Sequence, residues 1–248
     1  MIEKLREFQT FIFDCDGVLY RGNKPVPAAV RTIKLLKNQG REVKFLTNYP
    51  ESRATIQRKI KGLLGISVRK EDIMTVAFAT REYIRERMSG QRESVFIVGP
   101  KDLKREIREI GIETLGLKDV MIDFKIIRVP EWLLISLYNK NDLYHCLTAA
   151  GLILKEKNFD PSHYIATSKG KGWTREKGLS LGIGCFIAAL QEFSGKKPIV
   201  IGKPSNIFME IAKKVWNIAP KDTVLIGDKW SDIETANENG FFSIKVET

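Results

Sequence analysis

The chain has 248 residues, of which 43% are hydrophobic and 29% charged, and its formal net charge is +11. This length suits one large domain or two small ones, and the composition is ordinary for a soluble globular protein. No apolar run approaches the roughly 20 residues that a membrane-spanning helix needs. The N-terminal stretch MIEKLREFQT lacks the apolar segment of a secretory signal, so we expect a cytoplasmic protein without a membrane partner.

Cysteine and charge usage exclude further classes of protein. The three cysteines, Cys15, Cys146 and Cys185, are scattered, and only two histidines are present. Such a set without C-x-x-C spacing argues against a disulfide framework or a zinc site. Basic residues are spread along the whole chain without interleaved aromatics, so the charge indicates a solvated surface that attracts anionic ligands, and we expect no nucleic-acid partner.

Short apolar strands alternate with amphipathic helices in the first quarter of the chain. The pattern predicts strands at residues 11–13 and 43–46 and a helix at residues 28–38. A second helix follows Ser52, whose hydroxyl can cap it. One face of that helix carries Ile56, Ile60, Leu63 and Leu64.

The same alternation continues to the end of the chain. The middle has predicted helices at residues 75–89, 102–110 and 143–154 and predicted strands at 94–98, 132–137 and 164–166. The last third has predicted strands at 199–201, 224–226 and 241–244, and a helix with Ile207, Ile211 and Val215 in one stripe. Strands and helices in this order predict an α/β fold, with a doubly wound, Rossmann-like parallel sheet covered on both faces.

The first strand ends in two acids, Asp14 and Asp16, followed by Gly17. Residues two apart on a strand point to the same side, and the carboxyl ends of parallel strands border the ligand crevice. Two carboxylates there can bind a hard cation, or one can attack an electrophile while the other transfers a proton. The alternative is a solvated strand end with two acids that have no function.

Three later strand ends also carry polar groups. Thr47 and Asn48 can bind an anionic oxygen or simply form a turn. Lys203 precedes a helix and can act as a point charge on a phosphate. Asp228 can complete a carboxylate cage for Mg²⁺, and Asp232 can brace that cage, pair with Lys203 or cap the following helix.

Four segments, DCDGVLYRG, FLTNYP, IGKPSNIF and GDKWSD, resemble in order the four motifs of the haloacid dehalogenase-like hydrolase superfamily. The long segment after the second motif resembles the type II branch with an α/β cap, which contains p-nitrophenyl phosphatase-like and NagD-like sugar phosphatases. The resemblance implies a Rossmann-like core of residues 1–75 plus 175–248 and an inserted α/β cap at residues 76–174. Tyr49 and Pro50 depart from the branch, which usually has Asn-Ser there.

The resemblance also assigns the reacting groups. It implies that Asp14 is the nucleophile and forms an aspartyl-phosphate, and that Asp16 protonates the leaving oxygen and later accepts a proton from water. It places Mg²⁺ on Asp14, the main-chain carbonyl of Asp16, and Asp228.

The remaining motif residues are implied to bind the phosphate. Thr47, the main-chain N–H of Asn48, and Lys203 would hold its oxygens, and Asp232 would have a supporting role in the site. The true dehalogenases that share this pattern lack the second aspartate, so Asp16 favours phosphate esters.

The expected function is Mg²⁺-dependent hydrolysis of phosphate monoesters on small phosphorylated metabolites. Two alternatives stay open: a phosphotransferase or mutase with the same aspartyl-phosphate, and a non-catalytic basic binding protein on this fold. The sequence is compatible with a homodimer.

Overall fold

The structure is a computed structural model that describes residues 5–90, 92–138, 140–175 and 178–247. Its strands in chain order are β1 (Thr10–Asp14), β2 (Tyr20–Arg21), β3 (Lys24–Pro25), β4 (Glu42–Thr47), β5 (Ile73–Thr75), β6 (Ser94–Val98), β7 (Glu113–Leu115), β8 (Met121–Ile122), β9 (Lys125–Ile126), β10 (Trp132–Ile135), β11 (Tyr164–Ala166), β12 (Gly172–Arg175), β13 (Gly178–Leu181), β14 (Ile199–Val200), β15 (Thr223–Gly227) and β16 (Phe242–Lys245). Its α-helices are α1 (Pro27–Asn38), α2 (Arg53–Leu64), α3 (Val76–Arg85), α4 (Lys101–Arg108), α5 (Leu117–Val120), α6 (Leu143–Lys155), α7 (Ile183–Ser194), α8 (Asn206–Trp216) and α9 (Trp230–Glu238).

The chain divides into two compact units. Unit 1 comprises Met1–Ala79 and Lys203–Thr248, and unit 2 comprises Thr80–Gly202. The inserted unit therefore ends near residue 202 instead of the expected 174. The difference arises because α7 packs on α6, and β14 pairs with β11, so that both elements belong to unit 2.

Unit 1 is built on a five-stranded parallel sheet in the order β16-β15-β1-β4-β5. All five residues of β1 and all five of β15 are buried, as expected for strands covered on both faces. The chain leaves β1 toward β4 and β5 on one side and returns to β15 and β16 on the other. The predicted parallel-sheet α/β class is confirmed, and the strand order reverses between β1 and β15.

Local sequence signals explain where the helices of unit 1 begin and end. Helix α1 starts at Pro27, whose fixed φ suits the first helical position. Helix α2 starts after Ser52, whose Oγ accepts a hydrogen bond from the Thr55 N–H at 3.2 Å, as predicted. The predicted stripe of α8 was wrong at Val215, which is 41% exposed, because the helix buries the face that carries Phe208, Ile211 and Ala212.

Unit 2 has its own parallel sheet, in the order β14-β11-β10-β6-β7, and its own apolar core. Strand β10 is buried throughout, and Trp132 at its start is fully enclosed. The predicted strand at residues 199–201 is β14, and it lies at the edge of this second sheet, where Ile199 pairs with Ile165. Lys203 thus follows a strand of unit 2. In the described part of the chain, no helix combines the length and apolar character needed to cross a bilayer.

Candidate active site

The candidate site lies where the strand order of unit 1 reverses. Asp14 is the last residue of β1, and Asp228 directly follows β15. The two strands are parallel neighbours, with Phe13 opposite Ile226, so both acids lie at the carboxyl edge of the sheet. Ligands of open α/β sheets bind in the crevice at this reversal point.

Lys203 forms a buried ion pair with two carboxylates. Its Nζ lies 2.6 Å from Asp14 Oδ1 and 2.6 Å from Asp232 Oδ1. The three side chains are only 3%, 7% and 1% exposed for Lys203, Asp14 and Asp232, respectively. Residues that are far apart in sequence are therefore brought together, and the prediction that Asp232 could pair with Lys203 agrees with this geometry.

The same contacts set the charge of the group. Burial raises the pKa of Asp14 to about 6, although the Lys203 ammonium acts in the opposite direction. Burial alone would lower the pKa of Lys203, but the carboxylates of Asp14 and Asp232 outweigh it and raise that pKa. Both shifts therefore arise from burial and from the contact of the lysine with the two carboxylates.

Asn48 fixes the main chain of Lys203. The Asn48 Nδ2 donates to the Lys203 carbonyl at 3.0 Å, and the Lys203 N–H donates to Asn48 Oδ1 at 2.8 Å. The sequence indicated only that the Asn48 main chain could bind an anion, and it missed this role of the side chain. Thr47, buried at the end of β4, accepts a hydrogen bond from the Tyr49 N–H at 3.2 Å.

Asp228 supplies an oxygen that suits a metal ion. Its Oδ1 is buried and has no hydrogen-bond partner among the described residues. Carboxylate oxygens of Asp14, Asp228 and Asp232 all lie within 4.8 Å of one another. A buried, unpaired carboxylate oxygen is costly, and hard divalent cations prefer oxygen ligands. The residues present therefore fit a divalent metal.

Two glycines make this packing possible. At Gly17, which has a φ of +96°, a Cβ atom would lie 2.2 Å from Asp228 Oδ2. At Gly227, a Cβ atom would lie 2.2 Å from the Cβ of Asp232. Only glycine fits at either position, so these two residues are part of the site although they carry no functional group.

Asp16 has a different environment from the other acids. It is half-buried and lies in a tight turn in which the Gly17 N–H donates to the Tyr20 carbonyl at 2.8 Å. Its carboxylate is not one of the three that converge. The family resemblance implies the main-chain carbonyl of Asp16 as a metal ligand and its carboxylate as the group that transfers a proton.

Helix α9 begins beside the site. Asp232 lies in its first turn and accepts a hydrogen bond from the Lys229 N–H at 3.1 Å through Oδ2. Its other oxygen contacts Lys203. Asp232 therefore both caps the helix and holds the lysine, two roles that the sequence had left as alternatives.

Comparison with known proteins agrees with the fold. Residues 11–113 match the model of the haloacid dehalogenase-like hydrolase family, and residues 200–248 match a HAD-hydrolase-like model. A glycerol-3-phosphate phosphatase from Mus musculus is 26% identical over 242 residues, which cover 91% of this chain and 74% of that protein. A p-nitrophenyl phosphatase from Archaeoglobus fulgidus superposes with a TM-score of 0.84 at 25% identity, covering 98% of this chain and 88% of that chain.

A third relative was solved with a metal. The glycerol phosphate phosphatase from Mycobacterium tuberculosis in complex with magnesium superposes with a TM-score of 0.82 at 23% identity, over 98% of this chain and 68% of that chain. At this identity the likeness shows the fold. The two family models, which match residues 11–113 and 200–248, show that the chain belongs to the haloacid dehalogenase-like hydrolases.

Proposed function

We propose that this protein is a Mg²⁺-dependent phosphatase that hydrolyses monoesters of small phosphorylated metabolites through an aspartyl-phosphate. The observation that carries the proposal is the contact of Lys203 with both Asp14 and Asp232, next to an Asp228 oxygen that has no hydrogen-bond partner in the described part of the chain. A buried lysine beside a buried carboxylate provides a nucleophile and a positive charge for phosphate oxygens in one place. The phosphatase relatives support the same chemistry.

In the first step, a carboxylate oxygen of Asp14 attacks phosphorus. The new Asp14 O–P bond forms as the bond from phosphorus to the ester oxygen breaks. Asp16 donates a proton to that oxygen, so the product leaves as an alcohol. Lys203 stabilises charge on the phosphoryl oxygens during the transfer, together with the Thr47 hydroxyl and the Asn48 N–H.

In the second step, water attacks the phosphorus of the aspartyl-phosphate. Asp16 accepts a proton from this water, the Asp14 O–P bond breaks, and phosphate leaves with the Asp14 carboxylate regenerated. Asp14, the carbonyl of Asp16, and Asp228 would hold Mg²⁺, which offsets the repulsion between carboxylate and phosphate when it is bound.

The inserted unit 2 is proposed to act as the cap that selects the substrate. Support comes from its position in the chain between the second and third motifs and from its separate sheet and core. A cytoplasmic location and a homodimer stay predictions from the sequence.

The test is turnover of p-nitrophenyl phosphate with Mg²⁺, with phosphate release measured directly. Activity should disappear on thorough chelation and return with Mg²⁺. Asp14→Asn should abolish it, whereas Asp123→Asn, at an exposed turn with a φ of +46° that Asn adopts readily, should retain it. Full activity of Asp14→Asn would refute the nucleophile, and transfer to an added alcohol without phosphate release would indicate a phosphotransferase.

A further inference from the structure

A basic cavity lies at the amino edge of the unit 1 sheet, at the opposite strand ends from the candidate active site. Its volume is about 390 Å³. The end of α1, the start of β4 and the loop before β5 form its walls. Its charged lining consists of Lys37, Arg41, Glu42, Lys44, Arg69 and Asp72.

A second cavity, of about 340 Å³, adjoins the first. Ser67 and Val68 line both cavities, and Arg58 and Lys61 of α2 add two more cations to the second. The combined lining carries six cationic side chains and two carboxylates. Pockets for small ligands typically measure roughly 300–1,000 Å³, so the space suits a small molecule.

Both carboxylates of the lining form ion pairs with Lys44 or Arg69. Lys44 is buried, and its Nζ lies 2.9 Å from Asp72 Oδ1 and 3.5 Å from Glu42 Oε2. Arg69 donates to Asp72 at 2.9 Å and 2.8 Å. Burial acts to raise the pKa of Asp72, but these hydrogen bonds outweigh it and hold that pKa below its ordinary value, so Asp72 stays ionised at neutral pH.

Among the described residues, Lys37 and Arg41 donate hydrogen bonds to neutral main-chain carbonyls and form no ion pair. Lys37 Nζ donates to the Ser67 carbonyl at 2.9 Å, and Arg41 Nη2 donates to the Arg6 carbonyl at 2.8 Å. Such bonds fix the positions of both cations without neutralising their charge. Each side chain also keeps further N–H donors, because an ammonium has three and a guanidinium five. The first cavity thus holds two pre-positioned positive charges in excess.

We propose that the two adjoining cavities form a binding site for a small multivalent anion that carries two phosphate or carboxylate groups. Lys37 and Arg41 would bind one group, and Arg58 and Lys61 the other. The site shares no residue with the candidate active site. On β4, Lys44 precedes Thr47 by three residues, which separates the two sites by about 10 Å along the strand at roughly 3.3 Å per residue.

The test uses pyrophosphate as the probe, added to the full chain in magnesium-free buffer at constant ionic strength. Binding is followed by amide NMR spectra. Saturable shifts are expected for Val43 and for residues 67–69. The double variant Lys37→Gln/Arg41→Gln should weaken the Kd about tenfold or more, because two of the charged donors that would bind the anion are replaced by neutral side chains.

The matched control is Arg31→Gln/Lys34→Gln, which removes the same charge from exposed positions of α1 outside both cavities. This variant should retain the Kd of the unaltered protein. Equal weakening in both variants would show diffuse attraction and overturn the proposal. Shifts confined to Thr47, Asn48 and Lys203 would place the anion in the candidate active site and would also overturn it.

Discussion

The Asn48 side chain and the Lys203 main chain form a reciprocal pair of hydrogen bonds across 155 residues of sequence, at 3.0 Å and 2.8 Å. The amide thereby fixes the backbone from which the lysine reaches Asp14. A positive charge that stabilises a phosphoryl group in the transition state has to be in position before the reaction begins. Even a small displacement of the charge loses much of this stabilisation. Asn48 is thus a positioning residue in the proposed mechanism.

Asn48→Ala should remove both hydrogen bonds. We expect kcat on p-nitrophenyl phosphate to fall by up to about 100-fold, and the free energy of unfolding to fall by about 2 kcal/mol. Both are measured at a temperature at which the variant is fully folded. The control Asn237→Ala, which removes a surface contact with Ser243, should leave kcat unchanged. Unaltered kcat in Asn48→Ala would contradict the positioning role.

Asp232→Asn should separate the charge of this residue from its capping function. The amide oxygen can still accept the Lys229 N–H, but the negative charge next to Lys203 is lost. We expect turnover to fall by about 100-fold. Asp232→Ala should also lose the capping hydrogen bond of helix α9. Its free energy of unfolding in urea should be about 1 kcal/mol lower than that of Asp232→Asn. Equal urea midpoints for the two variants would show that the cap contributes nothing.

The effect of Asp228→Asn on stability should depend on whether Mg²⁺ is present. Without Mg²⁺, the change removes a buried negative charge near Asp14 and Asp232, so the variant should be at least as stable as the unaltered protein. With free Mg²⁺ at about 100 times its Kd, only the unaltered protein should gain about 2.7 kcal/mol. Thermal unfolding with and without Mg²⁺ measures both effects. An equal gain in the variant would exclude Asp228 as a ligand.

Gly17→Ala should damage the site by steric contact as well as by backbone strain. Its Cβ would meet Asp228 Oδ2 at 2.2 Å, whereas at Gly65, which has a φ of +64°, a Cβ would have no atom of the described residues within 4 Å. Gly65→Ala should therefore show only the left-handed strain, about 1 kcal/mol. Gly17→Ala should lose more stability and also bind Mg²⁺ more weakly in a calorimetric titration. Similar losses in both variants would argue against the close approach.

Glu93 should make unit 2 sensitive to acid. Burial acts to raise the pKa of Glu93, but hydrogen bonds from the Trp132 indole and from Ser89 outweigh it and hold that pKa below its ordinary value. A lowered folded-state pKa contributes stability above the unfolded pKa, near 4.3, and this stability disappears as the pH falls through the folded value. Denaturant unfolding from pH 7 to pH 3 should show this loss.

Glu93→Gln should abolish that part of the pH dependence and lower the free energy of unfolding at pH 7 by about 1–3 kcal/mol. Exposed Glu192 provides the control, because Glu192→Gln should leave the acid profile unchanged. A Glu93→Gln profile that still parallels the unaltered protein would assign the acid sensitivity to other groups.

The fold and most of the site were predictable because their signals are local. An apolar strand that ends in a polar group is visible in the sequence at Asp14, Thr47 and Asp228, and the parallel sheet then places these ends at one edge. The N-terminal cap of helix α2 at Ser52 was predictable from the sequence for the same reason. Such features depend on neighbouring residues and on the general geometry of α/β sheets.

Other features depend on contacts between distant residues. Strand β14 is short and apolar and suits either sheet, so its pairing with β11 could not be read from its composition. The bonds between Asn48 and Lys203 join segments that no local pattern connects. The buried face of α8 is decided by the surface it packs on, which places Val215 outside the core.

The pairing of β1 with β15 has a consequence for synthesis. Phe11 lies opposite Val224, so the central strand of the sheet lacks one neighbour until β15 has left the ribosome. A nascent chain that stops before β15 exposes an unpaired, apolar β1 edge, which is a template for aggregation. Truncated products should therefore depend on chaperones, and catalysis should first appear only after the C-terminal segment has been translated.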